Sequence, residues 1–382
     1  MCYQDAEKDK IIYKEESSMA EQKAKYEIIV DWIQDRLDYY TLEGNSKIES
    51  ENELATIFNV SRQTARHAIS VLESKGILEK KQGSGTFVKE LEKDESKRPR
   101  TMRVGIITTY VDEYIFPPII QEMEKVLSKA GYSIQIAFTH NSIEIERTIL
   151  ENLLKNPEID GIIAETVQSG LPSPNVHLYE ELREKGIPVI FINSYYESLD
   201  APHVSMDDKL AGKMATEYLI KCGHTDIAGV FKSDDGQGRL RYLGYIEALL
   251  EEKIEVKSER VAWIDTEDLR GTLPDFARVL KRIKGCTACV CYNDEVANKL
   301  VKICINEGIT IPEELSIVGI DNSELARLCE IPFSSIENPI RDLGENAALG
   351  IIALIKGKTL KKELDLEPRL VTRDSVQLLE NE

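Results

Sequence analysis

Residues Ile48 to Val88 constrain this 382-residue chain more than any other stretch. Ser50 stands three residues before Glu53, the spacing at which a serine hydroxyl and a glutamate carboxylate cap the two ends of one helical turn. A helix from there to about Phe58 gives way to Asn59-Val60. Ser61 then caps a second helix, Arg62 to Lys75, which Gly76 stops. Ile77–Lys80 and Thr86–Val88 read as short strands around Gln82-Gly83-Ser84-Gly85, a turn that glycine permits. Upstream, residues 26–39 carry Ile28, Ile29, Trp32, Ile33 and Leu37 at helical spacing. Two helices joined by a tight turn and followed by a β-wing are the layout of a winged helix-turn-helix, which reads DNA.

Charge supports that placement. The whole chain carries a net charge of -19, which argues against a general basic coat. Between Asn59 and Lys89, however, Arg62, Arg66, Lys75, Lys80, Lys81 and Lys89 face only Glu73 and Glu79, so the local balance is 6 - 2 = +4. The sign reverses where a DNA face is expected.

At this length two or three domains are expected. The seven cysteines are odd in number and scattered. No apolar run approaches the roughly 20 residues needed to span a membrane, and MCYQDAEKDKIIYKEESS has no signal-peptide core. A reduced cytoplasmic setting without a membrane partner is the expectation. Residues before Met19 fit no element. Residues 1–20 are therefore taken as a disordered or mis-assigned extension, with Met19 as the start and Glu15-Glu16 as a translated purine-rich ribosome-binding site. Residues 21–89 form the DNA-reading domain. The charged stretch 90–101, with Pro99, reads as a linker.

From Met102 the pattern becomes strand, polar turn, helix, repeated through residue 382. The strands are RVGIITTY, SIQIAFT, GIIAET, PVIFINS, HVSM, IAGVFKS, VAWID, ACVCYND and SIVGIDNS. Such alternation predicts an α/β architecture with parallel sheets. This many strands suits two doubly wound lobes better than one. In open α/β folds ligands sit outside the carboxyl ends of the strands. Those ends carry Tyr110, Asp112, Tyr114 and Phe116; Glu165; Asn193 and Ser194; Asp234, Asp235 and Gln237, with Arg239 and Arg241 just beyond; Asn293 and Asp294; and Asp321 and Asn322. Carboxylates, amides, arginine and aromatics suit a neutral polyhydroxylated ligand. Each hydroxyl both donates and accepts, and an aromatic face covers the C–H side of a sugar ring. Taken singly, most of these Asp and Asn residues also serve as ordinary turn formers.

Other chemistry is thin. Cys286-Thr-Ala-Cys289 has CxxC spacing, but Cys289 and Cys291 alternate along a buried strand and no second metal-ligand pair follows. The five histidines are dispersed, and His224, after Gly223, reads as part of a helix stop. Ser84 lacks the strand-to-helix setting of a nucleophile elbow, and there is no phosphate-binding GxxxxGK[ST] run. No enzyme activity, metal or cofactor is expected.

ENELATIFNVSRQTARHAISVLESKGIL and QGSGTFV resemble the GntR family of winged-helix regulators. LIKCGHTDIAGV, GRLRYLGY, CYNDEVA, IPEELSIVGIDNS and EPRLVTRDS resemble the ligand-binding domain of the LacI/GalR repressors, which has the two-lobed fold of periplasmic sugar-binding proteins. The two halves together, with TTYVDEYIFPPII after the first strand, resemble the arabinose-responsive repressors of Gram-positive bacteria. The resemblance implies that Arg62 and Arg66 read guanine in the major groove, that Gln82 and Gly83 set the wing in the minor groove, that Glu51 accepts from a cytosine amino group and that Lys25 meets a phosphate. Ser61 and Thr64 complete the DNA-facing set. Arg241, Asn293 and Asp321 match sugar-contacting positions of the wider family, joined by Tyr114, Phe116, Glu165, Asn193, Asp235 and Gln237. The expected protein is a homodimeric repressor on near-palindromic operator DNA, released by a small sugar, L-arabinose. A different sugar, a phosphosugar or a nucleobase is the alternative effector.

Overall fold

The computed structural model describes residues 25–35, 47–81, 84–89, 100–110, 114–271 and 273–379. They form two compact units divided between Pro99 and Arg100. Expectations for residues 1–24, and for Gln82, Gly83 and Asp112, lie outside the described residues.

In the first unit, helices α1 (Lys25–Asp35), α2 (Glu51–Ile57) and α3 (Arg62–Ser74) precede strands β1 (Leu78–Lys81) and β2 (Gly85–Val88). The expected capping box forms: the Ser50 side chain accepts from Glu53 N while Glu53 accepts from Ser50 N. Asn59 makes the turn between α2 and α3 at φ 48°, and Gly76 stops α3 at φ 71°, both in the left-handed region. The strands pair antiparallel, Leu78 opposite Val88 and Lys81 opposite Gly85. Lys47 adds a bridge to Phe87 that the sequence did not suggest. Ile29, Ile33, Leu54, Ala65, Ile69 and Leu72 close the core.

The second unit is two lobes. The first holds β3 (Arg103–Thr108), α4 (Phe116–Lys129), β4 (Ser133–Phe138), α5 (Ile143–Lys155), β5 (Gly161–Ala164), α6 (Val176–Glu184), β6 (Val189–Ile192) and β7 (His203–Met206). The second holds α7 (Asp208–Lys221), β8 (Ile227–Lys232), α8 (Gly236–Glu251), β9 (Val261–Ile264), α9 (Thr266–Arg270), α10 (Leu273–Ile283), β10 (Ala288–Cys291), α11 (Asp294–Glu307), β11 (Ser316–Asp321), α12 (Glu324–Leu328) and β12 (Ser334–Glu337). The chain then returns to the first lobe with α13 (Ile340–Ile355) and β13 (Glu363–Leu366), and crosses once more to β14 (Arg369–Val371) in the second. The sheet orders are β13-β7-β6-β5-β3-β4 and β14-β12-β11-β10-β8-β9. All pairs are parallel except β12 with β14. Three crossings near residues 207, 338 and 367 therefore join the lobes.

All nine expected strands are present. Three more, β12, β13 and β14, were not anticipated. The second unit also begins earlier than the expected linker end at residue 101. Arg100 Nη2 donates to Ile355 O at 2.9 Å, and Thr101 N donates to Asp160 at 2.7 Å.

Candidate DNA face and effector cleft

In the first unit α3 buries Ala65, Ala68, Ile69 and Leu72 and leaves Arg62 and Arg66 exposed. Ser61 caps it by accepting from Thr64 N at 3.1 Å, and Thr64 Oγ1 lies 2.8 Å from Ser61 Oγ. Both residues thus have a local structural task. Glu51, at the start of α2, collects the cations. It accepts from Arg62 Nε at 2.9 Å, from Arg66 Nε at 3.1 Å and Nη2 at 3.0 Å, and from Lys80 Nζ at 3.1 Å. Hydrogen bonding from Arg66, then from Arg62 and Lys80, lowers its pKa to about 2 against a modest burial penalty. Lys25 opens α1 at an exposed position. The arrangement is a ridge of guanidinium and ammonium groups anchored on one carboxylate.

In the second unit the polar strand ends do converge between the lobes. Arg241 on α8 is 1% exposed and is the centre of the cluster. Its Nε donates to Asp208 Oδ1 at 2.8 Å, Nη1 to Tyr292 O at 2.6 Å and Nη2 to Asp321 Oδ1 at 3.2 Å. Burial opposes the Arg241 charge, but Asp208 and Asp321 over-compensate, so the guanidinium stays charged. Asp321 also accepts from Tyr114 Oη at 2.6 Å, a contact from the first lobe to the second. Burial, reinforced by Asp321, holds the Tyr114 phenol far above its ordinary pKa, so it donates.

At the end of β8, Lys232 is buried between two carboxylates, 3.2 Å from Asp234 Oδ1 and 2.8 Å from Asp235 Oδ2. Burial pulls the ammonium down and Asp235 with Asp234 more than reverse it. Asp235 Oδ2 also accepts from Tyr292 Oη at 2.7 Å. On the first lobe, Glu165 accepts from Thr109 N at 2.9 Å and from Asn193 Nδ2 at 2.9 Å. Its pKa is raised by burial. Asn193 Oδ1 takes a bond from Gln237 Nε2 at 3.3 Å, again across the lobes.

Two expected members stand further from this network. Asn293 spends its side chain as the cap of α11, accepting from Val296 N at 3.0 Å. Phe116, the first residue of α4, is half-buried beside Tyr110, with ring centroids 6.2 Å apart. Four residues were missed: Asp208, Lys232, Tyr292 and Asn338. Asn338 sits at the second lobe crossing, with Nδ2 3.4 Å from Asp321 Oδ1 and a buried Oδ1 that has no donor among the described residues. Polar residues at the lobe crossings were the signal that could have found Asp208 and Asn338. His224 takes part in the expected helix stop: Gly223 turns the chain at φ 91° and His224 N donates to Leu219 O at 3.1 Å, while the buried His224 ring lies 2.9 Å from Thr287 Oγ1 and 3.1 Å from Gln377 O.

Among the described residues no cluster of three His, Cys, Asp or Glu could hold a metal ion, and no helix is long and apolar enough to cross a membrane. The described cysteines are free thiols.

A DNA-reading winged helix joined to a two-lobed domain with polar strand ends facing one cleft defines a class of ligand-responsive transcription regulators. Residues 25–88 match the model of bacterial regulatory proteins of the gntR family, and residues 216–376 match the periplasmic binding protein-like domain. The chain is 37% identical over 363 residues to the arabinose metabolism transcriptional repressor of Halalkalibacterium halodurans, covering 92% of this chain and 96% of that one. It is also 37% identical to the repressor of the same name from Geobacillus stearothermophilus, covering 88% and 93%. The chain belongs to this family of arabinose metabolism transcriptional repressors. Among solved structures it resembles transcription regulator CcpA of Lactococcus lactis, with a TM-score of 0.64 and 26% identity over 73% of this chain and 100% of that one. The fold is shared with a transcriptional regulator CelR–cellobiose complex, with a TM-score of 0.65 and 22% identity over 86% of this chain and 100% of that one.

Proposed function

We propose that this protein represses transcription by holding operator DNA through Arg62, Arg66 and the wing, and that L-arabinose entering the cleft releases it. The observation that carries the effector reading is Asp321, an acceptor shared by Arg241, Tyr114 and Asn338 at the junction of the lobes. A sugar hydroxyl entering there would donate to a carboxylate and accept from Arg241, the two-way bonding a polyol needs. Among the described residues the carboxylates Glu165, Asp208, Asp234, Asp235 and Asp321 outnumber the neighbouring cations Lys232, Arg239 and Arg241. That balance repels a phosphate and so disfavours phosphosugars as effectors. The names of the two relatives, arabinose metabolism transcriptional repressors, support arabinose as the effector.

A homodimer would place two winged helices on a near-palindromic site. Ile305 on α11 and Leu328 on α12, 45% and 69% exposed, offer apolar surface to a second copy. Changing operator affinity 100-fold requires about 2.7 kcal/mol of differential binding, within reach of a few charge-assisted hydrogen bonds. The test is thermal unfolding with L-arabinose, D-xylose, D-galactose, D-ribose and phosphorylated sugars, together with release of bound operator DNA. L-arabinose is expected to raise the transition and release DNA. Absence of a shift with every pentose would overturn the effector assignment.

A further inference from the structure

The end of the first lobe opposite the cleft differs in charge from the rest of the chain. Strands begin there and helices end there. The loop between α13 and β13, residues 356–362, reads KGKTLKK, with four lysines and no carboxylate in a protein of net charge -19. Lys129, at the end of α4, is exposed at the same end of the lobe. Arg100 ties the group together, with Nη2 on Ile355 O at 2.9 Å and Nη1 on Tyr132 Oη at 3.1 Å.

Part of this has an ordinary cause. Lysines at the ends of α4 and α13 complement the partial negative charge of a helix C-terminus. That effect fades within one turn, so it covers Lys129 and Lys356 but not Lys361 or Lys362. Lys362 has a carboxylate partner, Asp200, at 3.2 Å, where both groups are exposed and the pair is weak. Lys358 and Lys361 are exposed, and Lys358 makes a further interaction within the chain. The neighbouring Asp160 is already occupied, accepting from Thr101 and Met102.

What selects the partner is the position of the patch along the chain. The second unit begins at Arg100, inside the patch. The first unit ends with β2 and Lys89. Eleven backbone steps between Lys89 and Arg100 span at most about 40 Å, close to one helical turn of duplex DNA, about 34 Å. A patch tethered this close to a DNA reader meets DNA phosphates at high local concentration.

We propose that the base of the first lobe, around Lys358 and Lys361, is a second and sequence-independent DNA contact. It grips the phosphate backbone of the duplex flanking the operator. The inference rests on the repressor reading above. Such contacts hold register and add salt-dependent affinity without reading bases.

The test uses the full chain, the shortest duplex that keeps specific binding, and the same duplex extended by ten base pairs on each side. Affinity is measured against KCl concentration. Wild-type protein is expected to bind the extended duplex at least about fivefold tighter, with a salt slope steeper by about two. Lys358→Glu/Lys361→Glu should lose both gains, and Lys358→Gln/Lys361→Gln should lose most of the gain in slope. Both variants should keep the wild-type affinity on the short duplex and the wild-type L-arabinose shift, which shows that they are folded. Equal affinity and slope on the two duplexes for wild type and variants would overturn the contact while leaving the repressor reading intact. Failure of wild type to bind either duplex would overturn the repressor reading and this inference with it.

Discussion

Glu51 illustrates how one carboxylate can govern a binding surface. It is held by Arg66, Arg62 and Lys80, so the two arginines proposed to read DNA are ordered before DNA arrives. Ordering a long side chain in advance removes part of the entropy cost of binding. Glu51→Gln is expected to weaken operator affinity about tenfold, read by fluorescence anisotropy, with the L-arabinose shift unchanged. A gain in affinity would show instead that Glu51 competes with the bases for the arginines. The same residue carries a pH signature. Its pKa is lowered to about 2 in the fold, so its contribution is present above the ordinary carboxylate range and is lost as pH falls towards 2. Asp294 behaves in the opposite sense. Burial, with Asp321 adding to it, pushes its carboxyl up to about 7. The folded state therefore holds a proton that the unfolded chain releases, and this stabilisation is full below about pH 4 and lost as pH rises through 7. Asp294→Asn should flatten the stability profile between pH 5 and 8, because its amide can still bond Ser335 and Ser323, the present partners of Asp294. A profile as steep as wild type in chemical denaturation would refute that assignment. At this scale the sequence showed Arg241 and Asp321 because strand–turn–helix spacing puts them at the cleft. It did not show Lys232, Asp208 or Asn338, whose value depends on partners brought in by the fold from other elements.

At the scale of elements, the crossing of α7 and α8 positions Arg241. A Cβ on Gly212 would lie 2.0 Å from Arg241 O, and one on Gly244 would lie 1.9 Å from Lys209 O. Both neighbours are backbone, so neither can turn aside. The helices touch main chain to main chain, and that contact holds Arg241 against Asp208. Gly212→Ala must push α8 away. It is expected to destabilise the second unit by about 3 kcal/mol and to weaken the L-arabinose shift, since Arg241 moves with its helix. Urea unfolding checks the first effect and thermal shift the second. Unchanged stability would mean that the helices separate freely. Nothing in the periodicity of α7 or α8 announces this crossing, because it needs two glycines from different helices. The three unanticipated strands have a similar explanation. In β12, Ser334 and Ser335 are fully buried, yet they are satisfied by Arg373 N and Asp294, so a buried strand looks polar. In β13, ELDL alternates between exposed and half-buried at a sheet edge and resembles an acidic loop. The helix pair and wing of the first unit were more legible, because capping and turn residues act on their own neighbours.

At the scale of the second unit, its lobes meet through bonds that exist only when they approach. Gly236 N donates to Ser169 Oγ at 3.0 Å, Gly170 N to Asp234 O at 2.9 Å, and Asn141 Nδ2 to Thr266 Oγ1 at 2.6 Å. A ligand shifts such an equilibrium only by the difference in its affinity for the two forms. If L-arabinose prefers the closed form, weakening closure must weaken apparent sugar affinity in proportion to the lost closed population. Ser169→Ala removes one bond between the lobes, worth about 1 kcal/mol, and touches neither Arg241 nor the winged helix. Sugar affinity should fall about fivefold, since about 1.4 kcal/mol is tenfold. On the proposed switch the DNA-bound form has its lobes apart, so operator affinity without sugar should hold. Linkage adds a stricter requirement. The factor by which L-arabinose weakens operator binding must equal the factor by which operator DNA weakens L-arabinose binding, in wild type and variant alike. Titration calorimetry of sugar with and without operator, set beside anisotropy of operator with and without sugar, measures both factors. Unequal factors would mean that a further species, such as a change in oligomeric state, takes part in release. Equal factors with an undiminished sugar affinity in Ser169→Ala would move the switch away from lobe closure.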